Sequence, residues 1–533
     1  MHDLVVAGGW VVDGTGGPAF RSDVGIDGDS IAEIGPSLSG HRTLDASGCL
    51  VAPGFVDMHS HSDLALLTDP TADAKVMQGV VTEVVGQDGL SYAPVDDVTL
   101  PLVREQTAAW NGDPAGLEFA WRSVAEYLSA LETASPSVNV AYLVPHGTLR
   151  LLAVGGEDRP ATGPELDRMR EMLRAGLEEG AAGLSTGLTY TPAMFADTEE
   201  LVALCEELAA TGGYFAPHTR SYGKGVMEAY AEVIDVGMRT GAPLHLTHCQ
   251  ISFAGNEGRA AELIAMLDAI DPMALEVTAD SYCYEAGSTY LAAFLPTWAW
   301  NDGVDGVMAV LDDDESAERI RHELEDVGTP GFHGARMDWS AIAISSVGSE
   351  KNQTWTGRRV DEVAASLGAT PWEAARRLLI EERLNVNILT HVGHEDNMRA
   401  IMQLPIHMGG SDGLMAGQQP HPRAWGTFAR YLAMYARDEG LFSWPEIVRK
   451  LAALPNLRLR RLDRGLLRPR MKADVVVFDP DSVRDTATFD DPRQHPEGIP
   501  HVVVNGGVVK ESGHHTGSRP GRVLRSMAAG RSG

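Results

Sequence analysis

The sequence has few cysteines, no long apolar run and no excess of positive charge. Its four cysteines, at positions 49, 205, 249 and 283, form no CxxC pair. This usage is typical of the reduced cytoplasm and excludes a metal site made only of cysteines. No stretch reaches the roughly 18 consecutive apolar residues of a membrane span, and the N-terminus lacks the basic and apolar regions of a signal peptide. We therefore predict a cytoplasmic protein with no membrane partner.

Negative charge dominates the composition. The 533 residues include 74 aspartates and glutamates against 43 lysines and arginines, which gives a formal net charge of −31 at pH 7. Such a surface repels nucleic-acid phosphates, so we expect no nucleic-acid partner. The length exceeds what one hydrophobic core usually supports, which predicts a large domain with one or more smaller ones. The oligomeric state stays open, and a homo-oligomer is compatible with the sequence.

Both ends of the chain consist of short candidate strands separated by glycine and aspartate turns. Because the two ends share this pattern, we predict one small β-sandwich built from residues 1–53 and 466–533. The candidate strands of the two ends are 4–7, 10–12, 23–26, 31–34, 44–45, 473–479 and 501–507.

Residues 54–465 alternate between candidate strands and amphipathic helices, which predicts an α/β fold closed as a (β/α)8 barrel. Residues about 286–400 are too long for one crossover and are predicted to hold an inserted subdomain. The run 342–347 is a further candidate strand, so the count of eight depends on where that run belongs. Start and stop signals at Asp197 and Gly212 bracket one of the helices. The candidate barrel strands are 55–60, 80–86, 139–145, 181–185, 213–218, 243–248, 275–281 and 405–411, and the candidate helices are 164–179, 198–211, 225–239 and 257–269.

Histidines and aspartates recur at the C-terminal ends of the predicted barrel strands, where barrel enzymes place their chemistry. His59 and His61 lie two residues apart on a strand end, so both side chains project to the same side. A single histidine at a strand end is more often structural, but four of them at strand ends are hard to explain in that way. Imidazoles and carboxylates together suit one or two divalent ions, either Zn²⁺ or another metal. The predicted metal ligands are His59, His61, Asp88, His218, His248 and Asp412.

Several motifs in order along the chain resemble the amidohydrolase superfamily, and more closely its N-acyl-D-amino-acid deacylase (D-aminoacylase) family. The superfamily pattern has His-x-His after strand 1, histidines on strands 5 and 6, and an aspartate on strand 8. The resemblance covers nearly the whole chain and implies the metal-dependent barrel, the two-ended sandwich and the inserted subdomain. The motifs are APGFVDMHSH (52–61), GLSTGL (183–188), AGST (286–289), GSDGL (410–414), HPRAWGTF (421–428) and TGSRPGRVL (516–524).

The chain departs from the family pattern after strand 2. The family has a metal-bridging cysteine there, in a Gly-Asn-Cys-Gly turn, whereas this chain has GQDG at 86–89. Asp88 can offer an oxygen ligand that bridges two ions, and the alternative is a residue that only shapes the turn. Strand 4 offers Ser185 in place of a lysine, so the carboxylated-lysine bridge of hydantoinase-like relatives has no candidate. This argues against a cyclic-amide hydrolase.

The resemblance implies hydrolysis of an amide by a metal-activated water. Asp412 is predicted to accept a proton from that water and to deliver it later to the departing amine; the alternative role is a helix N-cap. His146 and Tyr190 are candidate donors to the carbonyl oxygen, although a structural histidine or a packed tyrosine fits these positions equally well. Asp63 is expected to orient a ligand histidine from behind, with a solvated loop carboxylate as the alternative.

The expected partner is a small-molecule substrate with a free carboxylate. A guanidinium binds a carboxylate through two parallel hydrogen bonds, and Arg423 follows the last predicted ligand in the sequence. The family uses the matching arginine, with residues matching Tyr282 and Ser288, to hold the α-carboxylate. Members that favour acidic or a broad range of D-amino acids carry a lysine at the position of Gln250. The neutral Gln250 therefore predicts a neutral or apolar D-residue.

The predicted function is metal-dependent hydrolysis of N-acyl-D-amino acids to a carboxylate and a free D-amino acid. A D-dipeptidase, or a hydrolase of another amide, carbamoyl group or lactone, uses the same metal centre and is the first alternative. A barrel that has lost catalysis and serves as a scaffold is a more remote one. Such barrels lose metal ligands, and here only Asp88 is unusual.

Overall fold

Eight parallel strands at the centre of the computed structural model confirm the predicted barrel. The structure describes residues 1–526, so 527–533, the end of the predicted C-terminal part, lie outside it. The barrel strands, numbered 1 to 8 here, pair in chain order. Main-chain hydrogen bonds from Met58 N to Gly409 O and from Asp412 N to His59 O join the last strand to the first. The eight strands are Phe55–Asp57, Val80–Val85, Asn139–Pro145, Gly183–Gly187, Tyr214–His218, Leu244–Leu246, Val277–Ser281 and His407–Gly409.

Nearly all residues of the barrel strands are buried, because both faces of a parallel barrel are covered. Every residue of strands 2 and 3 is buried. The helix Thr198–Thr211 begins after Asp197, whose side chain accepts a hydrogen bond from Glu200 N, and ends before Gly212 with φ 83°. No helix within residues 1–526 is both long and apolar enough to cross a membrane. The helices around the barrel are Ala65–Thr68, Asp73–Val76, Thr99–Asn111, Val124–Ala134, His146–Ala153, Gly163–Glu178, Thr198–Thr211, Val226–Thr240, Ala260–Asp268, Arg423–Arg430, Trp444–Val448 and Leu454–Arg458.

The long segment between strands 7 and 8 has a sheet and a core of its own. Three antiparallel strands, Ala286–Tyr290, Val386–His391 and Ile342–Val347, form this sheet. The run 342–347 therefore belongs to the insertion, which settles the count of barrel strands at eight. The apolar core of the insertion includes Trp110 and Tyr190 from the barrel loops, so the insertion packs against the mouth of the barrel. Its helices are Gly303–Asp312, Asp314–His322, Val360–Leu367 and Pro371–Glu381, and the next helix, Glu395–Met402, packs in the core of the barrel.

Two sheets beside the barrel contain strands from both ends of the chain. In the larger sheet, Leu50–Pro53 pairs with Val475–Phe478 in antiparallel register. Valines from both sheets share one apolar core, as in a sandwich. The domain limits given above remain predictions. One sheet contains His2–Ala7, Asp23–Asp27, Ser30–Gly35 and Gly40–Asp45, and the other contains Trp10–Val11, Phe20–Arg21, Leu50–Pro53, Val475–Phe478, His501–Val504, Gly507–Glu511 and His514–His515.

Candidate metal centre

Six buried side chains meet at the C-terminal mouth of the barrel. They are the six ligands predicted from the sequence, and they come from the ends of strands 1, 2, 5, 6 and 8 or from the turns that follow. They form two groups, and within each group the candidate ligand atoms all lie within 4.8 Å of one another. The structure thus brings the predicted ligands together, while metal binding itself remains a prediction. One group contains His59, His61, Asp88 and Asp412, and the other contains Asp88, His218 and His248.

Asp88 lies between the four histidines and belongs to both groups. Its Oδ1 is 3.6 Å from His59 Nε2 and 3.3 Å from His248 Nε2. Its Oδ2 is 3.5 Å from His61 Nε2 and 3.6 Å from His218 Nδ1. Each carboxylate oxygen therefore faces one histidine of each group, which is the position that a ligand shared by two ions requires.

Asp412 completes the first group from the turn after strand 8, which lies beside strand 1 where the barrel closes. Its Oδ1 lies 3.1 Å from His61 Nε2 and 3.6 Å from His59 Nε2. Its Oδ2 lies 2.9 Å from Arg423 Nη2. One carboxylate oxygen of Asp412 thus faces the histidines, and the other faces the guanidinium.

The charged groups of the cluster shift one another's pKa values. Burial disfavours a charge on His59, but Asp88 and Asp412 outweigh it and raise the pKa of His59 well above its usual value. Burial likewise raises the pKa of Asp88, but His248 and His59 outweigh it and hold that pKa well below the usual range. A histidine must be neutral to bind a metal, so an ion that binds here displaces a proton from the cluster.

The chemistry of the cluster fits divalent ions. Both ring nitrogens of His59, Nδ1 of His218 and of His248, and Oδ1 of Asp88 are buried without a hydrogen-bond partner in residues 1–526. Buried polar atoms are rarely left unpaired unless an ion, a water or catalysis accounts for them. Imidazole nitrogens with carboxylate oxygens are a ligand set that suits Zn²⁺ and similar first-row metals.

Three of the candidate ligands have a left-handed backbone. The φ angles are 53° at Asp88, 30° at His248 and 48° at Asp412. Such conformations are costly for residues other than glycine and tend to occur where function requires them. The turns after strands 2, 6 and 8 are therefore held in shape by the structure around them.

Two further carboxylates support these turns. Asp280 Oδ1 accepts a hydrogen bond from His248 N at 3.0 Å and lies 3.8 Å from His59 Nδ1, and its Oδ2 is 2.9 Å from His245 Nε2. Asp63 was expected to orient a ligand histidine. It accepts hydrogen bonds from Gly86 N at 3.0 Å and from a serine hydroxyl, so it shapes the turn that precedes Asp88. The residue behind His59 is thus Asp280.

A cavity, open to solvent, lies above the two groups. Most of the predicted substrate-binding residues line it, together with aromatic side chains from the loops and the insertion. Arg423 is the only lysine or arginine among the lining residues in the described part of the chain. The lining comprises His61, Asp88, Trp110, Tyr190, His218, Tyr222, His248, Gln250, Phe253, Tyr282, Gly287, Ser288, Thr289, Phe294, His333, Thr390, Asp412, Leu414 and Arg423.

The guanidinium of Arg423 is 1% exposed and poorly satisfied. Its carbon lies 4.4 Å from the centre of the Tyr282 ring, and the Tyr282 hydroxyl donates to Gln250 Oε1 at 3.0 Å. Within residues 1–526, Nε and Nη1 of the guanidinium have no hydrogen-bond partner, and Nη2 lies 2.9 Å from Asp412 Oδ2. A buried cation with free N–H groups beside a cavity is suited to binding an anion.

The remaining predicted residues differ in where they lie. Ser288 lines the cavity, and its hydroxyl donates to Ile388 O at 3.1 Å. Tyr190 also lines it, with its hydroxyl 3.1 Å from Thr289 Oγ1.

His146 is outside the cavity lining. Its two ring nitrogens lie 2.8 Å from Thr186 Oγ1 and 2.8 Å from Glu200 Oε1. The structure therefore corrects the expectation that His146 donates to the substrate, because both of its ring nitrogens already have partners.

Sequence reasoning missed several residues of the cavity wall, among them Trp110 and His333. Trp110 comes from the helix Thr99–Asn111, and its ring centre lies 5.3 Å from that of His61. His333 comes from the insertion, and its Nδ1 accepts a hydrogen bond from Tyr222 N at 3.3 Å. Neither residue lies at a strand end, so no sequence pattern pointed to the site.

Comparison with known proteins agrees with this geometry. The model of the amidohydrolase family matches residues 42–510. The chain is 37% identical over 529 residues to an N-acyl-D-glutamate deacylase of Alcaligenes xylosoxydans xylosoxydans, which covers 99% of this chain and 97% of the relative. It is 34% identical over 537 residues to a D-aminoacylase of the same organism, which covers 99% and 98%.

Solved structures are similar over the same length. The crystal structure of N-acyl-D-glutamate deacylase from Bordetella bronchiseptica, with zinc and a phosphonate mimic of the tetrahedral intermediate, superposes with a TM-score of 0.82 at 33% identity. This match covers 98% of this chain and 99% of that one. A D-aminoacylase with a binuclear metal centre gives a TM-score of 0.82 at 32% identity and covers 98% and 100%.

Proposed function

The chain belongs to the amidohydrolase family and is a metal-dependent amide hydrolase, and from this premise we propose that it deacylates N-acyl-D-amino acids. Our preferred substrates have neutral or apolar D-side chains. The observation that carries the proposal is the position of Arg423, a buried guanidinium with free N–H groups beside the candidate ligand Asp412. A substrate carboxylate bound there would place the neighbouring amide over the ligand cluster.

The residues that would hold Zn²⁺ are those of the two groups. His218, His248 and Asp88 would bind one ion, and His59, His61 and Asp412 would bind a second with Asp88 as the shared ligand. Ions bound in this way supply Lewis acidity and lower the pKa of a water molecule toward neutrality. The number of ions and their identity are part of the proposal.

Asp412 is the proposed general base and general acid. Burial raises its pKa, but Arg423 and His59 outweigh burial and lower that pKa, so the carboxylate is ionised at neutral pH. It accepts a proton from the attacking water and passes it to the amide nitrogen. The C–N bond then breaks, the amine leaves with that proton, and the acyl carbon keeps the water oxygen as a carboxylic acid. This acid releases the second proton of the water, which the amine takes up, so the products are a carboxylate and an ammonium.

The proposed side-chain preference rests on the charges of the cavity wall. If Arg423 binds the α-carboxylate, the described lining residues provide no second lysine or arginine for an acidic side chain. Gln250 is neutral, and its amide oxygen accepts a hydrogen bond from Tyr282. Burying an unpaired carboxylate is costly, so N-acyl-D-glutamate and N-acyl-D-aspartate are expected to be poor substrates. This separates the chain from the relatives named for those substrates.

Paired N-acetyl-D- and N-acetyl-L-amino acids test the proposal. The zinc-loaded protein is incubated with the leucine, methionine, phenylalanine, glutamate and aspartate derivatives, and the free amino acid is measured with ninhydrin. We expect the D series alone to be cleaved, with D-leucine ahead of D-glutamate. The Gln250→Lys variant is expected to shift the preference toward D-glutamate.

Each alternative has its own outcome in this assay. Cleavage of the L series alone would overturn the D-amino-acid assignment. D-glutamate as the best substrate of the unmodified chain would overturn the side-chain preference and leave the deacylase assignment intact. Activity confined to dipeptides, carbamoyl-amino acids or lactones would move the function to the first alternative.

A further inference from the structure

A lysine is buried directly below the first pair of candidate ligands. Lys75 lies on the helix Asp73–Val76, and its residue is 1% exposed. Its Nζ donates to Asp57 Oδ2 at 2.7 Å and to Ser411 Oγ at 2.7 Å. A lysine is rarely buried to this extent unless its charge is paired, and here one partner comes from strand 1 and the other follows strand 8.

The two partners of Lys75 connect the chain segments that carry His59 and Asp412. Asp57 Oδ1 accepts hydrogen bonds from Ser411 N at 2.8 Å and from His59 N at 3.2 Å. The Ser411 hydroxyl donates to Asp57 Oδ2 at 2.6 Å. Asp412 N in turn donates to His59 O at 2.8 Å. Lys75, Asp57 and Ser411 therefore form one hydrogen-bonded clamp across the seam where the barrel closes.

The clamp lies next to a strained ligand. Asp412 follows Ser411 directly and has φ 48°, a conformation that persists only when its surroundings enforce it. The second group has different support, because the main chain of His248 is held by Asp280. A fault in the clamp should therefore disturb His59, His61 and Asp412 more than His218 and His248.

We infer that Lys75 is a positioning residue that acts through Asp57 and Ser411 to fix His59 and Asp412 for ion binding and proton transfer. The part about proton transfer rests on the proposed function. The part about ion binding does not, because the affinity for an ion is measured without any substrate. No contact between Lys75 and the substrate is involved.

The test compares Lys75→Met with a matched control, Lys450→Met. Lys450 is also buried, at 2% exposure, but among the described residues its Nζ donates only to the main-chain carbonyls of Met402 and Leu404. Both variants lose one buried ammonium, and only the first loses the clamp. Lys75→Met leaves Asp57 without its nearest cation, and it also removes the ammonium that lies 3.7 Å from Glu83 Oε2. A second variant therefore adds Asp57→Asn, which removes the carboxylate closest to Lys75 and keeps the test interpretable if the single variant does not fold.

The readouts are zinc affinity by chelator competition, the unfolding midpoint, and kcat and KM with an N-acetyl-D-amino acid. We expect the Lys75 variants to bind the more weakly held ion roughly 10–100-fold less tightly, and kcat to fall by a similar factor with little change in KM. Lys450→Met should show neither effect. Folded Lys75 variants with the zinc affinity and kcat of Lys450→Met would overturn the inference. If the unmodified chain fails on N-acyl-D-amino acids while Lys75→Met still loses zinc, the proposed function is wrong and the inference stands.

Discussion

Replacing Arg423 by methionine tests how the substrate is recognised. Methionine keeps much of the volume of the side chain and removes the guanidinium, which is 1% exposed and whose Nε and Nη1 have no hydrogen-bond acceptor in residues 1–526. If this group binds the substrate carboxylate, the variant loses both N–H donors that face it. The bound carboxylate then remains buried without a partner.

The expected loss follows from the number of hydrogen bonds. A hydrogen bond to a charged group contributes about 1.5–3 kcal/mol, and a guanidinium binds a carboxylate through two of them. A combined loss of about 4 kcal/mol corresponds to roughly a thousandfold decrease in kcat/KM. The contact of Nη2 with Asp412, 2.9 Å long, adds a second route by which the variant could lose activity.

A substrate without the carboxylate separates the two routes. The value of kcat/KM is measured for N-acetyl-D-leucine and for its carboxamide, with both the unmodified chain and the Arg423→Met variant. We expect the unmodified chain to prefer the acid strongly and the variant to treat both alike, because only the acid used the guanidinium. An equal loss on both substrates would refute this reasoning and would mean that Arg423 acts through Asp412. Arg423→Lys, which keeps the charge without the planar fork, should recover part of the preference.

Three further predictions concern the candidate ligands and the cluster around Glu200. Asp412→Asn should keep most of the zinc and lower kcat by a factor on the order of 10²–10⁴. A variant with full metal content and a near-normal kcat would show that Asp412 does not transfer the proton. Asp88→Cys should shift metal selectivity, measured by competition dialysis, from Mn²⁺ toward softer ions such as Cd²⁺, and unchanged selectivity would argue against Asp88 as the shared ligand. Burial raises the pKa of Glu200, but His146 and Arg150 outweigh it and lower that pKa to about 2. A carboxylate whose pKa is lowered by folding stabilises the fold at pH values above its pKa in the unfolded chain. Glu200→Gln should therefore lower the free energy of unfolding, measured in urea at pH 7, by roughly 3 kcal/mol. This loss of unfolding free energy should become smaller as the pH falls from about 4.5 to about 2. A loss that does not depend on pH would contradict the stabilising role of the Glu200 charge.

The sequence predicted the six candidate ligands because a barrel converts position along the chain into position in space. His218 and His248 are far apart in sequence from His59, yet each lies at or just after the end of a parallel strand, and the C-terminal ends of such strands meet at one mouth. The period of two along a strand then placed His59 and His61 on the same side. No knowledge of side-chain partners was needed for these residues.

The same rule failed for His146, and the reason is physical. His146 also follows a barrel strand, so its position in the sequence resembles that of the ligands. Its ring is bound by Glu200, a residue on a different helix, and by Thr186. Which of several polar groups pairs with a histidine depends on packing between distant segments, and a strand pattern contains no information about it.

Site residues in the segments that connect the barrel strands were harder to predict than those at strand ends. Trp110 lies on a helix between strands 2 and 3, and His333 lies in the insertion. The apolar period of a helix says which side is buried, but not which other segment covers it. The sequence gives only a weak indication that Lys75 is buried, namely its position between an alanine and a valine. Its pairing with Asp57 is visible only in the structure.

The two aspartate ligands share a local pattern that explains how the chemistry of one could change. Both lie in Gly-x-Asp-Gly, at 86–89 and 410–413, and both have a left-handed backbone. A side chain at Gly86 would place a Cβ 2.3 Å from Leu143 O, and one at Gly410 would place it 2.5 Å from Asp280 Oδ1, so glycine is required where each turn begins. Aspartate is among the few residues that tolerate the left-handed region. The D-aminoacylase family, which this sequence resembles, has a cysteine thiolate where this chain has Asp88. The glycines determine the backbone of the turn, so the residue between them can change its ligand atom. An oxygen ligand at Asp88 is therefore compatible with the turn.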